Sequence, residues 1–579
     1  MSASFAPATR LTRLSPRRAG PTFPLALAAF VVLVVLVVPP VLILLQVSLT
    51  DVNPDGSAGA MTWRHYADLF SDPHLYESAA NSLLFAVGAT TVSLLFGGVL
   101  AWIVERTNAP LKVLAYLTTI VSLGTPYVLY VTAWLFLLGR SGPFNDAWRS
   151  MTGATTQLVN VYSLWGMILI EGFLWSPLVF LLLSATFRAA NAEMEEAARM
   201  SGASIFDTVW RISLRLAWPA VLAMALFVFI RNLEAFDVPV LVGTPGRVTL
   251  LTTDIYMATK EVPPRLGHAS AFAIMLILVV SLLLMLYGRV SRSAERYASV
   301  TGKGFRPRPF DLGRWRWAAG GLIVFNFVLV LGLPLVALLW TSFSPFVRPM
   351  RWSGLKSLTL RNYEAVFHVP SYVNLAINTL LVAAGAATAA VLIAVVAAWL
   401  AARRKAGGAV LDQLATMPLV FPGIVLGVAL MELALRAPFP IYGTLTLIAI
   451  GFTIRYMPYG MRYAYSGVLQ IHRELEEAAG VAGAGPMGVL RRVVVPLLSP
   501  ALVSGWLFIF LIAAKELSMA ILLSGPGAQT MAVAMFDMWA NGGGGELAAL
   551  GLLWALLMTV FASLFYLFGR RASSSAYGH

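Results

Sequence analysis

Twelve apolar runs, each long enough to cross a lipid bilayer as a helix, dominate this sequence of 579 residues. A helix needs about 20 apolar residues to cross the hydrocarbon core of a membrane. The runs are apolar on all sides and rich in leucine, valine and alanine, which is typical of helices and not of an outer-membrane barrel. The runs cover residues 25–47, 80–104, 113–138, 163–187, 218–240 and 268–288, and then 318–341, 376–401, 411–434, 444–469, 499–522 and 546–568.

The composition agrees with a chain that lies mostly in lipid. Charged residues make up 12% of the sequence, whereas soluble domains carry about 25%, so a soluble enzyme is excluded. The chain has no cysteine, which excludes disulfides, thiolate metal sites and cysteine nucleophiles. We therefore predict an all-α polytopic membrane protein with about twelve transmembrane helices.

The distribution of basic residues predicts the orientation. The net charge of +14 would suggest nucleic acid in a soluble protein, but basic residues of membrane proteins collect on the cytoplasmic side. More than half of the 41 lysines and arginines fall in cytoplasmic segments if the N-terminus is inside. The loop after the seventh span, with four basic residues, is the exception. We expect a multi-pass protein of the bacterial inner membrane with both termini cytoplasmic, and no nucleic acid partner.

The first run has a rival interpretation as a secretory signal, because it follows a basic stretch. It is too long for a signal and no A-x-A site closes it, so we interpret it as an uncleaved anchor. The predicted organisation is a basic cytoplasmic tail at 1–24, a first membrane domain at 25–290, a cytoplasmic linker at 291–317, a second membrane domain at 318–570 and a tail at 571–579.

The two membrane domains are copies of one unit. The segment EMEEAARMSGASIFDTVWRISLRLAWPAVL after span four repeats 281 residues later as ELEEAAGVAGAGPMGVLRRVVVPLLSPALV after span ten. A second landmark, Asn81-Ser82-Leu83, repeats 297 residues later as Asn378-Thr379-Leu380. The two offsets, 297 and 281, differ by 16 residues, so we expect the first half to have a longer connection after span three. Six spans in each half make the repeat parallel rather than inverted.

The repeated segments, about 191–217 and 472–498, are built as short helical hairpins on the cytoplasmic face. Acids open each segment, a glycine able to end a helix in a left-handed turn follows, and basic residues lead into the next span. For one such segment alone, a solvated connector between two spans explains the pattern as well as a docking element does. Two copies that keep the same acids, glycine, arginine and proline favour a surface on which another protein docks.

The pattern E-A-A-x-x-x-G in both copies resembles the EAA loop of permeases from type I binding-protein-dependent ABC importers. The resemblance covers residues 78–288 and 372–568 and implies the type I permease fold. It also implies that each loop forms a coupling helix seated on an ATP-binding subunit. The residues that it places at this contact are Glu195, Glu196, Ala197, Ala198 and Gly202 in the first half, and Glu476, Glu477, Ala478, Ala479 and Gly483 in the second.

The resemblance also implies partners. They are two copies of an ABC ATPase on the cytoplasmic side and a periplasmic substrate-binding protein. The chain carries no G-x-x-x-x-G-K-[ST] motif, so we expect a permease that is not an enzyme and binds no cofactor, while ATP and Mg are used by the ATPase. The fused halves, with LEAFDVPVLVG at 233–243 and AKELSMAILLSGPG at 514–527, resemble ferric iron permeases most. Thiamine, aminophosphonate and polyamine systems remain open.

Ionisable residues inside spans are costly and mark functional sites. Those found here are Arg231, Glu234 and Asp237 in span five, Lys515 and Glu516 in span eleven, Glu171 in span four, and Arg455 and Arg462 in span ten. They either form neutralised pairs that fix helix packing or line a substrate pathway between the halves. Carboxylates suit ferric iron and an amine cation equally, so no metal ligand is assigned. Pro126 and Pro422 either break their spans beside a cavity or kink them.

Two other classes of function compete. A secondary transporter of the major facilitator type also has twelve spans in two parallel halves, but its basic G-x-x-x-D-R-x-G-R-R loop does not match ERTNAPLK after span two. A membrane-embedded enzyme would need a polar cluster such as H-E-x-x-H, and no two of the six histidines are spaced in this way. Co-purification of an ATPase would separate the three.

The topology is directly testable because the chain has no cysteine of its own. Single cysteines placed in 191–217, 291–317 or 472–498 should stay unlabelled when intact cells are treated with an impermeant thiol reagent. Cysteines in the loop after span seven serve as the positive control. Labelling of any of the three segments from outside would refute the orientation.

Overall fold

The computed structural model describes residues 22–52, 58–189, 193–298, 309–405 and 407–576. Most of the predicted N-terminal tail and the middle of the linker, 299–308, lie outside the described residues. The side chains of Glu193, Glu196 and Arg199 likewise lie outside the described part of the chain.

The predicted spans are helices. Within the described ranges, nine helices are long and apolar enough to cross a membrane. They are span one at Phe23–Ser48, span two at Pro73–Arg106, span four at Leu164–Arg188, span five at Val209–Leu233, span six at Leu266–Ser291, span seven at Gly313–Ser342, span eight at Pro370–Ala402, span eleven at Pro486–Ala513 and span twelve at Gly544–Leu564.

Two further predicted spans are broken and one is unusually polar. Span three is Lys112–Gly124 followed by Tyr127–Leu138, and span nine is Gly408–Val420 followed by Gly423–Leu435. The bend is 112° between Lys112–Gly124 and Tyr127–Thr152, which includes span three, and 103° within span nine. Span ten, Leu445–Gln470, is 26 residues long but carries two arginines and a proline. Each of the twelve predicted spans therefore corresponds to one helix or one bent pair.

Spans five and eleven end earlier than predicted. The sequence predicts continuous spans to residues 240 and 522, whereas the helices end at Leu233 and Ala513 and begin further toward the cytoplasmic side. The charged residues Glu234, Lys515 and Glu516 therefore lie in the breaks rather than within the helices, and Asp237 begins the short helical segment that follows the break of span five. The physical reason is that a break turns these side chains inward among partners, away from lipid.

Short helices after these breaks complete the two halves. In the first half they are Pro239–Gly243, Thr244–Gly246 and Leu251–Lys260, and in the second half Ala520–Leu523 and Met531–Ala540. Outer connections contain the antiparallel strands Thr50–Val52 and Ala58–Met61 and the helices Arg64–Ser71, Pro143–Thr152, Trp352–Ser357 and Arg361–His368. Spans six and twelve continue as helix to Ala298 and Ala576.

The first span of each half packs on both halves. Span one packs on span six of its own half and on both segments of span nine. Span seven packs on span twelve of its own half and on both segments of span three. This reciprocal exchange holds the halves together around a shared interior.

The longer connection of the first half lies where the sequence predicts it. Residues 139–163 join spans three and four, whereas residues 436–444 join spans nine and ten, which is sixteen fewer. The buried amide of Asn145 organises the longer loop by donating to the carbonyls of Leu138, Gly139 and Val159, at 2.9–3.0 Å. Arg351, after span seven, donates two hydrogen bonds to the carboxylate of Asp146 in this loop, at 2.7 and 2.8 Å. The two halves are therefore also joined on this side.

Candidate coupling loops and transport pathway

Each repeated loop is a short helix, a left-handed glycine and a second helical turn, as predicted. The first helices are Glu193–Met200 and Arg473–Val481. Gly202 and Gly483 have φ of +84° and +86°, and a Cβ at either would meet nothing within 4 Å, so the backbone angle and not packing requires glycine. After the glycines, Ile205–Thr208 precedes span five and Pro486–Val489 begins span eleven. A π-helical turn follows each of these segments, at Val209–Ser213 and Leu490–Val494.

The loop helices expose matched apolar side chains. Met200 and Val481, at equivalent positions, are each 91% exposed. Met194 and Leu475, also 281 residues apart, are about half exposed, and Ala197 and Ala478 are exposed between them. Exposed apolar surface that recurs at matched positions is typical of an interaction site. Glu477 lies on this exposed surface; the side chain of Glu196 lies outside the described part of the chain.

Glu195 and Glu476 do not lie on this exposed surface. The resemblance places them at the ATPase contact, but the structure turns both side chains toward the membrane domain. Glu195 is buried, pairs with Arg106 at the end of span two and accepts a 2.6 Å hydrogen bond from Ser213. In this structure Glu195 is thus held by an intramolecular ion pair, and its contact with an ATPase stays a prediction.

The second half repeats this arrangement. Arg403, at the end of span eight, donates from Nε to Glu476 Oε1 at 2.7 Å, and Trp399 Nε1 donates to the other carboxylate oxygen at 2.9 Å. Arg403 also donates to the Ile471 carbonyl. The sequence carries a signal for this pair that our sequence analysis missed: A-W-x-x-x-R occurs at 101–106 and again at 398–403, which is 297 residues later.

The buried charges of the first half are paired at the end of span five. Arg231 Nη1 donates to Glu234 Oε2 at 2.7 Å, and Glu234 caps the C-terminus of the helix. Between them, Asn232 donates to Thr90 Oγ1 of span two at 3.1 Å. Glu171 of span four accepts a 2.9 Å hydrogen bond from Trp175. Arg231 and Glu234 thus form an ion pair, which is compatible with both of the roles considered for these charges.

The second half gathers its charges around Glu516. Its carboxylate accepts hydrogen bonds from Tyr456 and Ser518 and lies 3.7 Å from Arg455 Nε. Tyr456 and Ser518 were not among the predicted pathway residues. Arg462, also predicted within span ten, is exposed and does not join this cluster.

The two bent spans are bound to these charges at their breaks. Arg455 donates to the Phe421 carbonyl before Pro422 at 2.9 Å, and Lys515 donates to the Leu123 carbonyl at the break of span three at 3.1 Å. Lys515 also lies 4.4 Å from the centre of the Tyr127 ring. Both prolines therefore mark true breaks rather than simple kinks, and cations satisfy carbonyls that the breaks leave free.

Near these breaks, the carboxylates of Glu234 and Asp237 each have one oxygen without a hydrogen bond in the described part of the chain. Glu234 Oε1 and Asp237 Oδ1 are buried and accept no hydrogen bond from any residue in the described ranges. Across those same ranges, no group of three or more acidic, histidine or cysteine side chains is arranged to hold a metal ion. The arrangement can thus attract a cation at two points without forming a closed coordination site.

The family comparison defines the class of this protein. The model of binding-protein-dependent transport system inner membrane components matches residues 93–296 and 372–574, which is more than half of the chain and one match per half. The chain belongs to this family. It is a multi-pass inner membrane permease with a duplicated domain, and not an enzyme.

Individual relatives carry more specific names. The ferric transport system permease protein FbpB of Actinobacillus pleuropneumoniae is 26% identical over 462 residues, which span 77% of this chain and 64% of that protein. The Fe(3+)-transport system permease protein FbpB 2 of Haemophilus influenzae is 21% identical over 504 residues, or 86% of this chain and 90% of that one. The putrescine transport system permease protein PotI of Escherichia coli K12 is 32% identical over 147 residues, or 24% and 51%.

A solved structure also aligns. The crystal structure of a bacterial ABC transporter involved in the import of the acidic polysaccharide alginate covers 48% of this chain and 96% of the solved chain, with a TM-score of 0.38 and 18% identity.

The break of span nine requires glycine at position 423. A Cβ there would lie 2.0 Å from Ser518 Oγ and 2.9 Å from Glu516 Oε1, so Gly423→Ala must displace the Glu516 cluster. We expect uptake by the assembled transporter to fall about tenfold, because overpacking typically costs about 1–3 kcal/mol. Gly385→Ala, where a Cβ meets nothing within 4 Å, is the control. Wild-type uptake by Gly423→Ala would show that the cluster tolerates displacement.

Proposed function

We propose that this chain is the permease of an ATP-driven importer of ferric iron, with both halves of the pathway on one polypeptide. The observation that carries the importer assignment is the pair of matched loops, each with the same glycine turn and the same exposed apolar positions. Two such surfaces on one face are complementary to two copies of one partner. The proposed partner is a separate ABC ATPase that uses ATP and Mg, so this chain binds no cofactor itself.

The proposed orientation places these loops and both termini in the cytoplasm. The distribution of basic residues supports it. The connections on the opposite side, including 139–163 and the loop after span seven, then face the periplasm, where a soluble binding protein delivers the substrate.

The proposed cycle uses the connection of each loop to its half. Binding of ATP closes the ATPase dimer, draws the two loops together and tips the halves outward. The docked binding protein then releases its substrate into the interior between the halves, and hydrolysis returns the halves to the inward-facing state. Because each loop helix continues through one turn into span five or eleven, its movement acts on the charged breaks at the far end of those spans.

Ferric iron as the substrate is supported by the relatives named as ferric permeases and by the state of the buried charges. A trivalent cation is repelled by free cations at short range. Here the charge of Arg231 is compensated by Glu234, and the ammonium of Lys515 is directed to the Leu123 carbonyl of span three. The carboxylate oxygens of Glu234 and Asp237 that accept no hydrogen bond in the described ranges are hard ligands of the kind that Fe³⁺ prefers. Glu516 on the other half adds negative charge opposite them.

A diamine is the second candidate substrate. It is favoured by the match to the permease named for putrescine, and two separated carboxylates suit a molecule with a cation at each end. Uptake measurements distinguish the two substrates without affecting the permease assignment.

The docking surface is tested by charge reversal. Glu196→Lys or Glu477→Lys should abolish transport and reduce co-purification of the ATPase while the protein still inserts, because reversal sets like charge against a basic partner surface. Glu364→Lys, the same reversal at an exposed position on the opposite side, is the control for insertion and for co-purification of the ATPase. Undiminished ATPase binding and uptake in both loop variants would disprove the docking assignment.

The substrate is tested with labelled iron. Cells that express the whole system should take up ⁵⁵Fe, and Glu234→Gln and Glu516→Gln should each reduce uptake about tenfold, since each removes a buried negative charge from the pathway. If the wild type moves no iron but takes up putrescine, thiamine or an aminophosphonate, the substrate is wrong and the permease assignment stands. If iron moves equally well in both variants, these acids have no pathway role.

A further inference from the structure

The two buried ion pairs at the loops join each loop helix to a helix distant from it in sequence. In the pair of Arg106 and Glu195, the side chains are 2% and 4% exposed, and in that of Arg403 and Glu476 they are 6% and 11% exposed. Removing one partner of a buried pair leaves an uncompensated charge and is strongly disruptive. Both partners recur at matched positions in the two halves, so each half has the same connection.

The helices held by these pairs reach the other side of the membrane domain. Span two runs from Pro73 to Arg106 and contains a π-helical turn at Leu94–Gly98, whereas span eight is α-helical from Pro370 to Ala402. At 1.5 Å per residue, each is about 50 Å long. The chain stays helical along both, so each serves as a rod that carries a displacement of one end to the other.

The far ends of the rods are also bound, and again in the same way in both halves. Ser82 Oγ accepts from the backbone N–H of Leu251 at 3.0 Å, and the equivalent Thr379 Oγ1 accepts from Met531 N–H at 2.8 Å. Asn81 donates to the Thr249 carbonyl, and Asn378 makes the equivalent bonds to carbonyls of its own half. These partners lie in the segments that follow the charged breaks of spans five and eleven.

The loop helix of each half thus has two connections to the pathway. One is the chain itself, through span five or eleven to the near side of the charged break. The other is the ion pair, through span two or eight to the far side of the same break. A displacement of the loop acts on both sides of the break only while the ion pair holds.

We propose that Arg106 and Arg403 are positioning residues, paired with Glu195 and Glu476, through which the loop helices move spans two and eight and so open and close the charged breaks. The proposal rests on the proposed function, since it takes the loops to be the surfaces on which the ATPases act. It assigns Glu195 and Glu476 a role distinct from docking: they transmit movement and do not contact the ATPase.

The experiment measures coupling in the full transporter reconstituted with its ATPase and binding protein. The variant Glu195→Gln/Glu476→Gln removes the charge of both pairs and keeps side-chain size. We expect the ATPase to co-purify in wild-type amount and hydrolysis to continue, while substrate moved per ATP hydrolysed falls about tenfold. Glu261→Gln, which breaks an exposed ion pair with Arg265 elsewhere, is the matched control and should leave this ratio unchanged.

Conservative variants keep the test valid if the double variant inserts poorly. Arg106→Lys/Arg403→Lys retains the buried positive charges, but a lysine cannot reproduce the several directed hydrogen bonds that Arg403 makes. We expect normal insertion and ATPase binding, with a lowered ratio of transport to hydrolysis.

The outcomes are distinct. A wild-type ratio in the variants that insert would overturn the proposal. Loss of ATPase co-purification in the glutamine variant, with normal insertion, would also overturn the proposal. It would indicate that these acids contact the ATPase. If no ATPase co-purifies with the wild type, the proposed function itself fails, whatever the variants do.

Discussion

The cost of leaving a carbonyl or a charge unpaired inside a bilayer governs the interior of this protein. Spans three and nine break at prolines, and the breaks release carbonyls that helix geometry no longer satisfies. Lys515 and Arg455 donate to two of these carbonyls, Leu123 and Phe421. The same cations then face carboxylates or aromatic rings, so backbone breaks and buried charges stabilise each other. Neither would be tolerated in lipid without the other.

This mutual dependence joins the halves. Lys515 belongs to the second half, and the carbonyl that it satisfies belongs to the first. Spans one and seven cross over to pack on the opposite half, and Arg351 reaches Asp146 across the outer connections. A chain built from two copies therefore has one interior, and movement of either half changes the environment of charges that belong to the other.

The two halves share the contacts that join their loops and spans more completely than they share the charged side chains of the interior. The glycine turns, the ion pairs at the loops and the hydroxyl bonds at the far ends of spans two and eight occur in both halves. Of the buried charges near the breaks, only Glu234 and Glu516 correspond; the equivalents of Arg455 and Lys515 are Leu174 and Leu233. The halves thus share the contacts that join their helices but place different charged groups in the interior.

The sequence by itself determined the helices, the repeat, the glycine turns and the location of the longer loop after span three, because each depends on local hydropathy, spacing or a single backbone angle. Only the tertiary structure decided that spans five and eleven stop at Leu233 and Ala513, since hydropathy continues past both points and the break depends on partners from other helices. It also decided that Glu195 and Glu476 face inward while their neighbour Glu477 is exposed. Acids that are adjacent in sequence on a helix point about 100° apart, and which of them meets an arginine depends on the end of a distant span.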